Sequence, residues 1–138
     1  MAVSASEYLA LAEVRYRIRC FLVFSEACAR EARVEPQQHQ LLLAVSGLPA
    51  GMTPTIGQLA ERLQIQHNSA VELVRRCADN GLVHKRPGAD KREVVVALTR
   101  KGRAMLEKLT VAHRAELRSM APALVDALTA LVGQAGAA

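Results

Sequence analysis

The 138-residue sequence predicts a mainly α fold carrying one small β-hairpin. Three observations predict it. Apolar residues recur at helical spacing from Ile56 to Leu63 and again from about His67 to Asn80. A turn rich in Pro, Gly and basic residues then leads into Val94-Val95-Val96. The chain's positive charge is gathered in that same stretch. Helix, turn, helix and basic hairpin in this order describe a winged helix-turn-helix at about residues 53–103.

The charge count is specific to that segment. The whole chain has 18 Lys and Arg against 13 Asp and Glu, a formal net charge of +5. Between Thr53 and Arg103 there are ten basic residues and five acidic ones, and the remainder holds eight of each. A positive field confined to one segment suits a polyanion, because each neutralised phosphate releases condensed counterions.

A chain of this length with 51% hydrophobic residues can bury one core, so a single domain over 1–138 is expected. No apolar run approaches the roughly 18 residues of a membrane span. The segment Met1 to Arg19 has no basic region followed by an apolar one, which argues against a secretory signal and for a cytoplasmic chain. Three cysteines without a CxxC do not make a disulfide framework. His39, His67, His84 and His113 are scattered, so no metal and no cofactor are expected. With no nucleophile elbow and no phosphate-binding Gly loop, the residues do not point to an enzyme.

Each element has its own reason. From Ser6 to about Ala32, Leu11, Val14, Ile18, Phe21 and Leu22 form one apolar stripe. Tyr8, Ala12, Tyr16, Cys20, Val23 and Ala27 form a second beside it. A helix apolar over so wide an arc needs two partners, its own core and another subunit. Glu13 with Arg17 and Glu26 with Arg30 support it as i,i+4 pairs. Pro36 opens a second helix through Leu41, Leu42, Leu43 and Val45, and Gly47, Pro49 and Gly51 break it. Thr55 is the expected N-cap of the helix Ile56 to Leu63. After Gln64-Ile65-Gln66, the helix from His67 to Asn80 is expected to point Val71, Val74, Cys77 and Ala78 inward, with Gly81 ending it. Leu82 to Arg86 and Glu93 to Leu98 form the hairpin. Helices from Thr99 to about Arg118 and from Pro122 to Val132 complete the chain.

The outward residues of the second helix of the pair are Gln66, His67, Asn68, Ser69, Glu72, Arg75 and Arg76. Amides and guanidiniums on such a face suit the major groove, where Asn or Gln pairs with adenine and Arg with guanine. A blander reading stands beside it: Arg75 and Arg76 pair with Glu72 or Asp79, and Ser69 with Glu72 makes a capping box. In the wing, Arg86, Asp90, Lys91 and Arg92 surround the tip, and an Arg there suits a narrow minor groove.

These residues resemble the MarR-type (multiple antibiotic resistance regulator) winged-helix transcription factors. The resemblance rests on Ile56-Gly57-Gln58-Leu59-Ala60-Glu61-Arg62-Leu63, on Asn68-Ser69-Ala70-Val71 leading to Val74-Arg75-Arg76, and on Gly81-Leu82-Val83. Asp90-Lys91-Arg92 and Leu98-Thr99-Arg100-Lys101-Gly102-Arg103-Ala104 complete it. It implies a homodimer joined through helices at about 6–32 and 104–132, presenting two recognition helices to a pseudo-palindromic operator on double-stranded DNA. It further implies a repressor released by a small-molecule effector, with Tyr8, Tyr16, Phe24 and His39 as candidate lining residues. The wing Asp would pair with Arg to steady the hairpin, roles that fall to Asp90 and Arg92.

Two alternatives keep the same scaffold. One is a thiol switch at Cys20, since some relatives sense oxidants in the first helix. Cys20 and Cys28 are separated by about 12 Å of helix rise, too far to bridge within it, and a buried, inert Cys20 is the default expectation. The other is a winged helix that binds protein, against which the localised charge argues.

Overall fold

The computed structural model describes residues 2–136. In chain order it contains α1 (Ala5–Glu31), α2 (Pro36–Ser46), α3 (Ile56–Leu63), α4 (His67–Asp79), β1 (Val83–Pro87), β2 (Val94–Leu98) and α5 (Arg100–Gly136). The chain divides into two compact units, one made of the chain through Cys28 together with the chain from Val111 onward, the other Ala29–Thr110. Among the described residues, no helix is long and apolar enough to cross a membrane.

The unit Ala29–Thr110 is the winged helix. Leu41 and Leu42 of α2, Ile56, Leu59 and Ala60 of α3, Ala70, Leu73, Val74 and Cys77 of α4, and Leu82, Val83, Val96 and Leu98 of the hairpin share one core with Leu106 of α5. Thr55 caps α3 as expected, its Oγ1 accepting from the Gln58 N–H at 3.2 Å. Gln64 closes α3 in the left-handed region (φ 54°), and Ile65 N–H donates to the Ala60 carbonyl at 3.0 Å. That bend turns the chain into α4 within three residues.

β1 and β2 pair antiparallel, with Val83 opposite Leu98 and Pro87 opposite Val94. A third segment steadies the hairpin: Val96 N–H donates to the Pro54 carbonyl at 2.9 Å, and Thr55 bridges Val95. The residues just ahead of α3 therefore tie the wing's inner strand to the helix pair.

The Leu98-Thr99-x-x-Gly102 run works as a clamp. Gly81, at φ 72°, ends α4 as the sequence predicts. Thr99 N–H donates to the Leu82 carbonyl at 3.1 Å, and its hydroxyl donates to the Gly81 carbonyl at 2.6 Å. The same hydroxyl oxygen accepts from Gly102 N–H at 3.0 Å, capping α5. Lys101 Nζ donates to the Asn80 carbonyl at 2.9 Å, and Arg103 donates to the Leu98 carbonyl at 3.1 Å. Gly102 is obligatory for steric reasons, since a Cβ there would lie 2.0 Å from the Leu82 carbonyl oxygen.

In the other unit, Ser4 and Glu7 form a capping box at the start of α1, Glu7 N–H donating to Ser4 Oγ at 3.2 Å and Ser4 N–H to Glu7 Oε2 at 3.0 Å. Ala10, Val14 and Ser25 of α1 and Ala127 of α5 are buried. Phe21 and Phe24 meet the His113 ring edge-on, and His113 Nε2 lies 2.8 Å from Ser25 Oγ. Arg17 pairs with Glu13 at 3.0 Å as expected.

Three expectations are corrected. The two C-terminal helices expected on either side of Pro122 are one continuous helix, α5. Pro122 removes only the bond to the Arg118 carbonyl, and both residues are exposed, where water can serve the freed oxygen. Of the first α1 stripe only Val14 is buried; Leu11, Ile18 and Leu22 are exposed. On α4, Val71 faces outward at 43% exposure, and its inward stripe is Ala70, Leu73, Val74 and Cys77.

Two outcomes follow for stability and reactivity. Gly102→Ala should lower the stability of the winged helix by about 3 kcal/mol in urea unfolding, because the Leu82 carbonyl cannot retreat without breaking the clamp. Burial pushes the Cys77 thiol up from 9.0 to about 12. Cys77 accordingly lends stability that is complete below about pH 9 and is lost as pH rises toward 12. Mass spectrometry after iodoacetamide treatment at about pH 8 should find Cys77 unmodified in the native protein and alkylated after denaturation.

Candidate nucleic-acid interface

α4 is amphipathic for a simple reason: Ala70, Leu73, Val74 and Cys77 follow i, i+3, i+4, i+7 spacing, and all four lie in the core. The opposite stripe consequently faces out. Gln66, His67, Asn68, Ser69, Glu72 and Arg75 are exposed, and Arg76 is half-buried. Val71 joins this face, an apolar contact among polar ones that suits a thymine methyl. The same four-residue spacing, begun at Ala70, is the signal in the sequence that locates it.

The N-cap of α4 is Gln66, in extended conformation with no side-chain capping bond. Ser69 therefore lies inside the first turn, and the capping box expected from Ser69 and Glu72 does not form. The carboxylate of Glu72 is committed elsewhere. It receives Arg75 in two hydrogen bonds, one at 3.0 Å from Nε to Oε2 and one from Nη2 to Oε1. Arg75 Nη1 also reaches Asp79 Oδ2 at 2.7 Å. The Arg75 hydrogen bond holds the Glu72 carboxyl below its usual range, and Glu72 in turn holds the Arg75 guanidinium above its own. The intrahelical pairing weighed for Arg75 is thus present.

Arg76 behaves differently from expectation. It reaches α2 and the residue ahead of it, donating from Nε to Glu35 Oε2 at 3.1 Å and from Nη2 to Gln37 Oε1 at 3.3 Å. Sequence spacing had no means of finding a pair 41 positions apart. Gln37, Asn68, Ser69, Glu72 and Arg76 line a shallow cavity of about 360 Å³ beside this bridge.

In the wing, Arg86 is exposed on β1 opposite Val95. Asp90 Oδ1 accepts from the backbone N–H of Arg92 at 3.1 Å, and Glu93 N–H donates to the Asp90 carbonyl at 2.9 Å. Asp90 therefore steadies the tip through the Arg92 backbone, a correction to the side-chain pairing expected by resemblance. The guanidinium of Arg92 is left exposed, and neither it nor Arg86 nor Lys91 has an ion-pair partner among the described residues. Three unpaired cations on a hairpin beside a polar helix face make a surface suited to phosphates and groove edges.

The remaining candidates have separate surroundings. Tyr8 is exposed and lines a cavity of about 500 Å³ with Val3, Glu7, Leu11, Leu131 and Val132. Tyr16 is exposed, with its hydroxyl pKa raised above the usual value chiefly by hydrogen bonding to Cys20. Phe24 packs on His113. His39 is buried in α2, its Nδ1 3.4 Å from Gln40 Nε2. Cys20 is half-buried where a sealed thiol was expected, because the neighbouring α1 positions Arg19, Leu22 and Val23 are open.

A model of the MarR family matches residues 34–93, from the residue before the α2 cap to the end of the wing tip. No curated protein matches the sequence. Among solved structures, the chain is similar to AbsC, a MarR family transcriptional regulator from Streptomyces coelicolor, at 17% identity and a TM-score of 0.73, covering 91% of this chain and 83% of that one. It is similar to a mutant of S. aureus MepR bound to an oligodeoxyribonucleotide, at 17% identity and a TM-score of 0.62, covering 78% of each chain. It is also similar to the PcaV transcriptional regulator of Streptomyces coelicolor in complex with its natural ligand, at 25% identity and a TM-score of 0.52, covering 62% of this chain and 60% of that one. With the family model matched across its winged helix, and that winged helix set in a fold shared with MarR family regulators, this chain belongs to the MarR family.

Proposed function

We propose that this protein is a double-stranded-DNA-binding transcriptional regulator that works as a homodimer on a pseudo-palindromic operator. The observation that carries the proposal is α4. Its inner stripe is spent on the core, and its outer stripe offers Asn68, Ser69, Val71 and Arg75 to a groove, next to the unpaired cations of the wing. Asn68 and Arg75 read base edges, while Arg86, Lys91 and Arg92 neutralise phosphates and enter the minor groove. Arg75 reaches a base only by leaving Glu72 and Asp79. Both ion pairs are exposed, and such pairs contribute little in water, so the exchange is inexpensive. The MepR complex with an oligodeoxyribonucleotide supports this use of the fold.

Dimerisation is supported by the unit of chain termini. Leu9, Leu11, Leu22 and Val23 of α1 and Val125 and Val132 of α5 are all at least half exposed, more apolar surface than an isolated small domain leaves in water. A second copy covering it would set two copies of α4 about 34 Å apart, one helical turn of DNA. Repression relieved by a small molecule completes the reading, supported by the ligand complex of PcaV.

Fluorescence anisotropy on DNA from upstream of the protein's own gene, against random DNA at two salt concentrations, tests the function. Expected is tight binding that favours the upstream DNA and falls steeply with salt; binding indifferent to sequence and salt overturns the proposal. In the same assay Arg92→Ala should weaken binding across sequences and lower the salt slope by about 1, with thermal stability unchanged. Asn68→Ala and Arg75→Ala should each cost about 1–3 kcal/mol on the preferred site and relax base preference at one position. Sedimentation should report a dimer, and Leu22→Glu should shift it toward monomer while the winged helix stays folded.

A further inference from the structure

In the winged-helix unit, a cavity of about 400 Å³ lies where the end of α4 meets the start of α5 and the α1–α2 loop. Its wall includes Arg33, Gln38, Asp79, Asn80, Lys101 and Met105. That volume falls within the range of small-molecule sites. Nothing in the DNA-facing surface uses it.

Gln38 is the informative residue. It is 1% exposed, and its Nε2 has no hydrogen-bond partner among the described residues. The orientation of the amide is fixed by chemistry: Oε1 accepts from the Glu35 N–H at 3.1 Å, and reversing the amide would set donor against donor. What is unmet is therefore a donor, and a sealed donor without an acceptor costs about 1–3 kcal/mol. A cation cannot satisfy it; an oxygen can.

The charges around it select the kind of oxygen. Asp79 is already engaged by Arg75 at 2.7 Å. Lys101 spends one of its three donors on the Asn80 carbonyl at 2.9 Å. The exposed Arg33 guanidinium has no partner among the described residues. Two cations with spare donors and one neutralised carboxylate favour an anion. Met105, with Leu82 behind it, supplies apolar surface for a short carbon skeleton.

We propose that this cavity is a binding site for a small carboxylate, one oxygen of which accepts from Gln38 Nε2 while its charge lies toward Arg33 and Lys101. The site does not depend on DNA binding by the chain, and its test reads ligand binding directly.

The experiment is a 1H–15N NMR titration of the full chain, following the Gln38 side-chain amide. The probes are succinate, its neutral analogue succinamide and inorganic phosphate. Succinate should shift the Gln38 amide saturably, and succinamide should not. Gln38→Glu keeps the oxygen that caps α2 but removes the donor and adds repulsion, and should abolish the effect. Arg33→Gly should weaken succinate roughly tenfold. It should not lower the melting temperature, because Arg33 sits at φ 62°, where glycine is unstrained. The proposal is overturned if succinate gives no saturable shift up to about 20 mM. It is overturned equally if succinamide binds as well, if phosphate binds in preference, or if Arg33→Gly binds succinate like the wild type.

Discussion

The winged helix depends on the hydrogen-bonded junction between the end of α4 and the start of α5. Asn80, Gly81 and Leu82 would leave carbonyls unmatched where α4 stops, and Lys101, Thr99 Oγ1 and Thr99 N–H meet them in that order. The junction requires the backbone of α5 to approach the Leu82 carbonyl more closely than any side chain allows, hence Gly102. Because β1 begins at the next residue, Val83, the same bonds set where the hairpin leaves the helix pair. The orientation of the recognition face and the position of the wing are thereby decided together.

Electrostatics on α4 describe a surface that is structured before it meets DNA. Arg75 is held by two carboxylates on its own helix, and Arg76 by Glu35 and Gln37 from the start of α2. The wing is built the opposite way. Asp90 spends its carboxylate on a backbone N–H and leaves the Arg92 guanidinium uncommitted. Exposed pairs of this kind exchange partners at little cost, so the helix keeps its shape in water and still releases an arginine to a base. The wing cations have nothing to release and meet phosphate directly, which divides positioning from reading.

A related division applies to the core. Cys77 and Val74 face inward from the helix that carries Arg75 and Arg76, so packing and recognition are functions of alternating arcs of one 13-residue element. A substitution that disturbs the inner arc would rotate the outer one. The sealed Cys77 thiol belongs to packing, its ionisation pushed to about 12 by burial. Cys20 and Cys28 stand half-buried on α1, in a different setting.

Much of this was legible in the residues. Caps and breakers act over three or four positions, so Thr55, Gly81 and Pro36 marked their helix ends correctly, and the α3 stripe had one consistent phase. The order of helix, helix and basic hairpin was legible for the same reason, and so was the location of the positive charge. Where α4 offered two apolar phases, through Val71 or through Leu73, only the position of neighbouring elements could choose, and the core took Leu73. Pro122 reads locally as a break, yet α5 continues through it, because one lost hydrogen bond at an exposed position is small beside the bonds on either side. The Arg76–Glu35 pair, the clamp from Thr99 to Gly81 and the unmatched donor of Gln38 join residues brought near only by folding or sealed only by it. By itself the sequence determined the elements and the chemistry available to them, through interactions between near neighbours. The tertiary structure decided which of those groups are spent on one another and which are left to meet a partner, because partner choice and burial are set by distance in space.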